Sequence, residues 1–288
     1  MASFLTERKR QPKIYIDLPS RGIFYDENII QDSQFTEIPV FGMNTMDEIM
    51  IKTPDALFSG QATANVIKSC IPIIKNPWDL VGFDIDFILI AIRISTYGEK
   101  MEISSTCPHC GNKLDSDLNL SQMMAGISDK EITYYVEFED LRLDLRPLSY
   151  KMQTEFAKQQ YLFERELLQI DKIEKSEQEK NKLQQTVLEK MTKISADIII
   201  NYIFNISNQE NEREFDFKII KDFITNNDAL VFNKIQDKVK EMNKDWNLPD
   251  FSIVCENEEC QKTYTTSVSM DFASFFADKS LRSRILKS

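Results

Sequence analysis

The first part of the chain alternates between short extended patterns and a turn. Residues 14–18 and 36–41 place apolar and polar side chains in turn, which predicts two short strands. Residues 19–22 contain Pro and Gly and predict a turn, after which residues 23–25 are expected to be extended again. Residues 1–13 are polar and basic, so we expect a mobile arm there.

Helical periodicity dominates the stretch that follows. Asn44 with Asp47 is typical of a helix N-terminus, because the Asn side chain accepts hydrogen bonds from exposed N–H groups and acidic residues favour that end. Residues 83–97 carry a broad apolar face, which predicts a core helix that ends at Gly98. We expect residues 14–100 to form an N-terminal, mostly helical part.

Residues 130–248 combine a hairpin with long helices. Residues 132–138 and 141–145 alternate on either side of a polar turn, which predicts a β-hairpin. Residues 149–206 are almost entirely helix-forming, and the charged run 171–182 predicts the exposed tip of a helical hairpin. Charges of mixed sign are typical of a solvated face, and a partner-binding coiled-coil tip is the alternative.

Two more amphipathic helices are predicted at residues 215–225 and 229–242, after a polar loop at residues 205–214. Their apolar side chains recur at helical spacing and indicate a stripe that packs into the core. A docking surface for another protein is the alternative. The stripe consists of Phe215, Phe217, Ile219, Ile220, Phe223, Ile224, Leu230, Phe232, Ile235 and Val239.

Two pairs of cysteines add a metal site to this picture. Cys107 and Cys110 form a CxxC turn, and Cys255 and Cys260 form a wider pair far along the chain. Structural zinc sites are built from four such thiolates in a tetrahedron. The sequence therefore predicts that the four cysteines hold one structural Zn²⁺.

Extended segments flank both cysteine pairs, which predicts a split zinc ribbon made of residues 101–120 and 250–271. The metal would close residues 130–248 at their base as an insertion. We expect residues 272–288 to form a C-terminal helix. The expected fold class is α+β, mainly helical with short β-hairpins and a split four-cysteine zinc ribbon.

The residues in and around the turns raise three open questions about the site. Gly111 can take the positive φ that a CxxC turn requires, whereas Gln261 follows the second pair, so we expect that wider turn to be built differently. A redox dithiol at Cys107 and Cys110 is the competing interpretation, but such motifs open a helix after a strand. His109 within the turn is interpreted as an exposed spacer, with a ligand role as the alternative.

Composition narrows the class of function. A net charge of −11 over 288 residues disfavours binding to the phosphate backbone of a nucleic acid, so nucleic-acid binding is not expected. No apolar run is long enough to cross a bilayer, so membrane insertion is not expected either. The fifth cysteine, Cys70, has apolar neighbours and is expected to be buried. An odd cysteine count favours a metal in a reducing compartment over a disulfide framework. The single histidine leaves no nucleophile–base set, so an enzyme is not expected.

Several phrases occur in an order that resembles a known family. They are Leu-Pro-Ser-Arg-Gly-Ile-Phe-Tyr at residues 18–25, Ser-Cys-Ile at 69–71, the helical stretch at 89–98 and Cys-Pro-His-Cys-Gly at 107–111. Together they resemble the baseplate hub assembly (chaperone-like) proteins of T-even-type contractile-tailed phages. The resemblance covers residues 14–150 and extends to the region of the second cysteine pair.

The resemblance implies a late viral protein that works in the host cytoplasm during tail assembly. It would bind hub subunits of the baseplate and help to build the central hub without catalysis, with the four cysteines as metal ligands. A permanent structural subunit of the virion tail baseplate is one alternative. A zinc-ribbon factor associated with nucleic acid is the second, although Lys113 and Lys262 near the two turns are too few for a basic face.

Overall fold

The chain divides into two compact units. Met1–Lys130 and Asn247–Ser288 form the flanking unit, and Glu131–Trp246 form the inserted unit. The predicted α+β class, mainly helical with short antiparallel hairpins, is confirmed. The computed structural model describes residues 10–31, 34–53, 59–126, 133–170, 172–173, 176–246, 251–266 and 275–276.

The described elements are labelled in chain order. Strands β1 to β10 are Pro12–Ile16, Ile38–Phe41, Lys100–Thr106, Lys113–Asn119, Tyr135–Phe138, Leu141–Leu145, Ile203–Ser207, Arg213–Glu214, Phe251–Val254 and Thr263–Thr266. Helices α1 to α8 are Thr45–Ile51, Gln61–Cys70, Gly82–Tyr97, Leu120–Ala125, Tyr150–Ile170, Glu177–Ile200, Phe217–Asn226 and Ala229–Trp246.

The flanking unit begins with the antiparallel pair β1 and β2. β1 starts at Pro12, two residues before the predicted strand, and the guanidinium of Arg10 donates to Gly42 O at 2.9 Å. The described part of the chain therefore begins within the predicted arm of residues 1–13, whose first nine residues lie outside the described ranges. Most of the predicted C-terminal helix, residues 272–288, lies outside them as well.

Helix α1 begins with the predicted cap. The Asn44 side chain accepts from the N–H of Met46 at 2.8 Å and of Asp47 at 3.0 Å, and Asp47 accepts from Asn44 N–H at 2.9 Å. This reciprocal pair satisfies donors that a helix N-terminus otherwise leaves open. Helix α3 is buried along most of its length and ends at Gly98 with φ of 93°, which confirms it as the core helix.

The extended segment predicted at residues 23–25 is wrong, because the chain forms consecutive turns there. Arg21 N–H donates to Leu18 O, and Tyr25 N–H donates to Gly22 O at 3.0 Å. Arg21 and Gly22 both take positive φ, which breaks the strand pattern. Ile23 consequently lies 63% exposed instead of alternating into the core.

A four-stranded antiparallel sheet, in the order β5-β6-β7-β8, organises the inserted unit. The predicted helix to residue 206 is wrong at its end, because α6 stops at Ile200 and the chain turns into β7. β-Branched Ile203 and Ile206 pair there with Leu145 and Leu143 in the core. The expected loop that follows also contributes β8 to the sheet edge.

Helices α5 and α6 form a hairpin whose surface is largely exposed. Buried positions in it include Ile170, Val187 and Ile200. Ser176 and Glu179 form a capping box that starts α6 at Glu177, inside the charged run 171–182 that was predicted as the tip. Residues 171 and 174–175 of that run lie outside the described ranges. Among the described helices, none combines the length and the apolar character needed to cross a bilayer.

The apolar stripe on α7 and α8 lies mainly in the core of the inserted unit. Ile220, Ile224, Ile235 and Val239 are all buried against the sheet cluster, which confirms the core interpretation for these positions. Other members remain at the surface. The exposed members of the predicted stripe are Phe215, Phe217, Ile219 and Leu230.

Candidate metal centre

The predicted ligands come together at one point of the flanking unit. The Sγ atoms of Cys107, Cys110, Cys255 and Cys260 all lie within 4.8 Å of one another. Cys110 and Cys255 approach to 3.5 Å, and Cys107 and Cys260 to 3.9 Å. Sulfurs that share a tetrahedral zinc ion at a Zn–S distance of about 2.3 Å lie about 3.8 Å apart, whereas a disulfide needs about 2.05 Å. The spacing fits a shared cation better than a disulfide.

The first pair lies at the tip of the β3–β4 hairpin. Cys107 N–H donates to Asn112 O at 2.8 Å and closes the hairpin, and Gly111 N–H donates to Cys107 O at 2.9 Å inside it. Gly111 takes φ of 74°, a conformation that glycine adopts without steric cost. The turn therefore directs the thiols of Cys107 and Cys110 to the same side.

The second cysteine pair also lies on a hairpin turn that a backbone hydrogen bond closes, but its loop is longer. Cys255 N–H donates to Lys262 O at 3.0 Å, which closes the β9–β10 hairpin. Gln261 takes φ of 43° at the position that matches Gly111, so the expectation of a differently built turn is wrong in this respect. Gln261 N–H donates to Asn257 O at 3.0 Å, and the Asn257 side chain accepts from Glu259 N–H at 3.0 Å. Asn257 thus organises the two extra residues, a role that its tendency to form local side-chain turns could have indicated.

Direct packing also joins the two hairpins. Leu114, Ile253 and Tyr264 form a small buried cluster with Cys107 and Cys255. The hydroxyl groups of Ser105 and Tyr264 lie 2.7 Å apart, which links β3 to β10. The cysteines are therefore held by a packed base as well as by their own turns.

The ionisation of the thiols follows from their crowding. Burial raises the pKa of Cys107, but hydrogen bonds from the backbone of His109 and Cys110 outweigh it and lower the pKa to about 7. A backbone hydrogen bond from Asn257 lowers the pKa of Cys255, but burial and the neighbouring thiols raise it to about 12. The Cys107 thiolate forms readily while Cys255 resists ionisation, and a divalent cation would remove that resistance because it compensates the accumulating charge.

The remaining candidate residues lie outside this group. His109 is exposed on the first turn and does not belong to the cluster of possible ligands within the described ranges. Cys107 and Cys110 lie between two strands, not at the start of a helix as in redox CxxC motifs. Cys70 is fully buried in α2, as expected, and burial beside Asp47 raises the pKa of its thiol to about 12.

Comparison with known proteins identifies a family for this chain. Residues 42–277 match the T4 bacteriophage base plate protein family, a span that contains the inserted unit and both cysteine pairs. No curated protein and no solved structure matches the chain. Because the match covers most of the sequence, the chain belongs to the T4 bacteriophage base plate protein family.

Proposed function

We propose that the protein assists assembly of the central hub of the phage tail baseplate by binding hub subunits, without catalysing a reaction. The observation that carries this proposal is membership of the base plate family across residues 42–277. The resemblance of residues 18–25 and 107–111 to hub assembly proteins supports a role at the hub of the baseplate. The protein would act in the host cytoplasm while tails are built.

The metal in this proposal is Zn²⁺ with a structural role. Four thiolates form a donor set that zinc prefers, and a tetrahedron filled by four protein ligands leaves no position for a substrate. The ion would fix the two hairpins of the ribbon relative to each other. Cys107, Cys110, Cys255 and Cys260 would supply all of its ligands.

Exposed aromatic side chains in the inserted unit offer a surface for a hub subunit. The rings of Phe204 and Phe215 meet edge to face with centroids 5.7 Å apart, and they are 49% and 53% exposed. Phe217 and Ile219 lie next along the chain and are also partly or largely exposed. Clustered aromatic side chains of this kind often anchor protein interfaces.

A permanent structural subunit of the virion baseplate is the second candidate, because family membership fits both roles. The third, a zinc-ribbon factor associated with nucleic acid, is disfavoured by the net charge of −11. A transient factor and a permanent subunit differ in their copy number in finished particles.

The test is to purify the tagged full-length protein from infected cells and identify its partners by mass spectrometry. Enrichment of hub subunits over an untagged control is expected. Recovery of only baseplate subunits from outside the hub would overturn the proposal. Quantification in purified virions then separates the roles: near absence supports a transient factor, and a copy number equal to that of a hub subunit supports a permanent one.

A further inference from the structure

A groove of about 470 Å³ lies beside the metal centre, between the hairpins of the flanking unit. Residues 116–119 of β4 form one wall and residues 252–254 of β9 form the other. Gln122 and Met123 of α4 also line it. We call this feature the β4–β9 groove.

Both walls are strand edges. Successive side chains of a strand point to opposite faces, so a surface lined by several consecutive residues follows the edge of the strand and not one face. Consecutive residues of β4 and of β9 line the groove in this way. Within the described residues, β4 pairs only with β3, and β9 pairs only with β10.

The hydrogen-bond pattern identifies the backbone groups that face the groove. Cys107 N–H donates to Asn112 O at 2.8 Å, and Leu120 N–H donates to Glu99 O at 2.9 Å, at the two ends of the β3–β4 ladder. Bonded and non-bonded pairs alternate along an antiparallel ladder. Asp117, which stands opposite Glu102, is therefore in a non-bonded pair, and its N–H and C=O point towards the open edge.

The same alternation applies to the other wall. Cys255 N–H donates to Lys262 O at 3.0 Å, so the next pair, Val254 with Thr263, is non-bonded. The N–H and C=O of Ser252 and Val254 then point away from β10. Two rows of backbone donors and acceptors border the groove, an arrangement that binds an added strand.

The side chains that line the groove define the chemistry of its occupant. Asp117 and Glu256 are the charged residues among them, and no basic residue lines the groove within the described part of the chain. Leu118, Met123 and Ile253 supply apolar surface. Carboxylates with no lining cation attract lysine or arginine, while the apolar surface takes aliphatic side chains.

We propose that the β4–β9 groove binds an extended segment of a partner protein, by strand addition, in which aliphatic and basic side chains alternate. A segment of about four residues, ~13 Å long, matches the length of β9. The proposal rests on the proposed function in that the partner would be a baseplate subunit. A metal bound by the four cysteines would contribute, because it would fix the turns that follow β9 and precede β4.

The test measures binding of a labelled seven-residue peptide of alternating valine and lysine to the full-length, zinc-loaded protein by fluorescence anisotropy. Asp117→Pro removes the N–H that faces the groove and should weaken binding by about tenfold or more. Asp117→Ala separates the loss of charge from the loss of the donor. Glu102→Pro is the matched control, because it removes the outward N–H of the paired residue on the opposite edge of the same hairpin.

The expected order of affinity is wild type equal to Glu102→Pro, then Asp117→Ala, then Asp117→Pro, with each variant keeping its thermal unfolding transition. A valine–glutamate peptide should bind at least about tenfold more weakly than the valine–lysine peptide. Equal binding by the two proline variants, or equal binding of the two peptides, overturns the proposal. A large gain in peptide affinity when residues 277–288 are deleted also overturns it, because those residues are basic and would then be the occupant.

Failure of the groove and failure of the proposed function remain distinguishable. If hub subunits co-purify with the wild type and the affinity for the peptide does not depend on Asp117, the proposed function is supported and strand addition in the groove is refuted. If the peptide affinities follow the expected order while hub subunits do not co-purify, strand addition in the groove is supported and the hub role is refuted.

Discussion

The hydroxyl of Tyr25 donates to the Asp84 carboxylate at 2.5 Å, across 59 positions of sequence. Val81 N–H donates to the Tyr25 oxygen at 3.0 Å, and Ser20 N–H donates to Asp84 at 3.1 Å. The turns at residues 18–25 are therefore joined to the start of the core helix α3. The segment that carries the family resemblance has a structural role in holding the flanking unit together.

Replacing Tyr25 by Phe is expected to destabilise the protein by about 1–3 kcal/mol, because buried Asp84 and Val81 N–H each lose a hydrogen-bond partner. Urea unfolding of the two proteins measures the difference. Tyr15→Phe serves as the control, since Tyr15 is 64% exposed and should change little. Equal effects of the two substitutions would contradict the assigned role.

The stability contributed by Asp84 should fall as the pH rises. Burial raises the pKa of this carboxyl from 3.8 to about 6, against hydrogen bonds from Ser20 and Tyr25 that lower it. Between these values the folded protein holds a proton that the unfolded chain has released, so the free energy of unfolding declines from about pH 4 to pH 6. At 1.36 kcal/mol per pKa unit, the decline attributable to Asp84 is about 3 kcal/mol.

Asp84→Asn isolates this effect from the other carboxyls. Burial also raises the pKa of Asp86 to about 7, but Asp86 is present in both proteins and its contribution cancels. The stability of the wild type relative to Asp84→Asn should decrease from pH 4 to pH 7 in denaturant titrations. A relative stability that is constant or increases over this range would exclude the proposed protonation.

Substitutions at the two left-handed turn residues, Gly111 and Gln261, should change the stability of the protein in opposite directions. A Cβ at Gly111 meets nothing within 4 Å, so Gly111→Ala should cost only the backbone strain, about 1 kcal/mol. Gln261 already bears that strain at φ of 43°, so Gln261→Gly should stabilise the protein by about 0.5–1 kcal/mol. Chemical unfolding of the metal-loaded proteins checks both values, and changes of the same sign would count against a shared turn geometry.

Cys107→Ser should abolish stoichiometric metal binding, because three thiolates remain from a set of four. The wild type is expected to carry about one zinc per chain by elemental analysis, and the variant close to none with a less cooperative unfolding transition. Cys70→Ala is the control, since Cys70 is buried in α2 and outside the cluster. A fully folded wild type that binds no metal would remove zinc from the proposed function.

Removing an exposed aromatic side chain of the inserted unit should weaken binding to hub subunits. Phe215→Ser should reduce co-purification of hub subunits by about tenfold or more, as expected when an interface anchor is lost. Leu168→Ser, on the exposed surface of α5, is the comparison, because Leu168 is 67% exposed and lies on another element. Identical recovery with both variants would place the contact elsewhere.

Local chemistry made much of this structure predictable. Asn44 and Gly98 mark helix ends by their own hydrogen bonding and backbone freedom, so α1 and α3 follow from the sequence. The four cysteines identify one another by residue type, although they come together across 145 or more positions. Two close pairs of cysteines have few other uses in a protein, so this ligand set could be recognised from residue type alone.

Features decided by distant contacts were missed. Residues 203–206 follow a long helical pattern, and only their pairing with β6 makes them a strand. Nothing in the sequence indicated that Tyr25 and Asp84 bond to each other, because only the fold brings these two residues together across 59 positions. The left-handed Gln261 was missed because its residue type does not favour that conformation, which the closing bond from Cys255 to Lys262 imposes.

The long separation between the cysteine pairs has a consequence for synthesis. The ribosome makes Cys107 and Cys110 before the whole inserted unit, and Cys255 and Cys260 only after it. A cation held by all four thiolates can therefore be captured only once translation has passed Cys260. Metal loading would then act as a checkpoint that distinguishes a chain with a finished insertion from a truncated or nascent one.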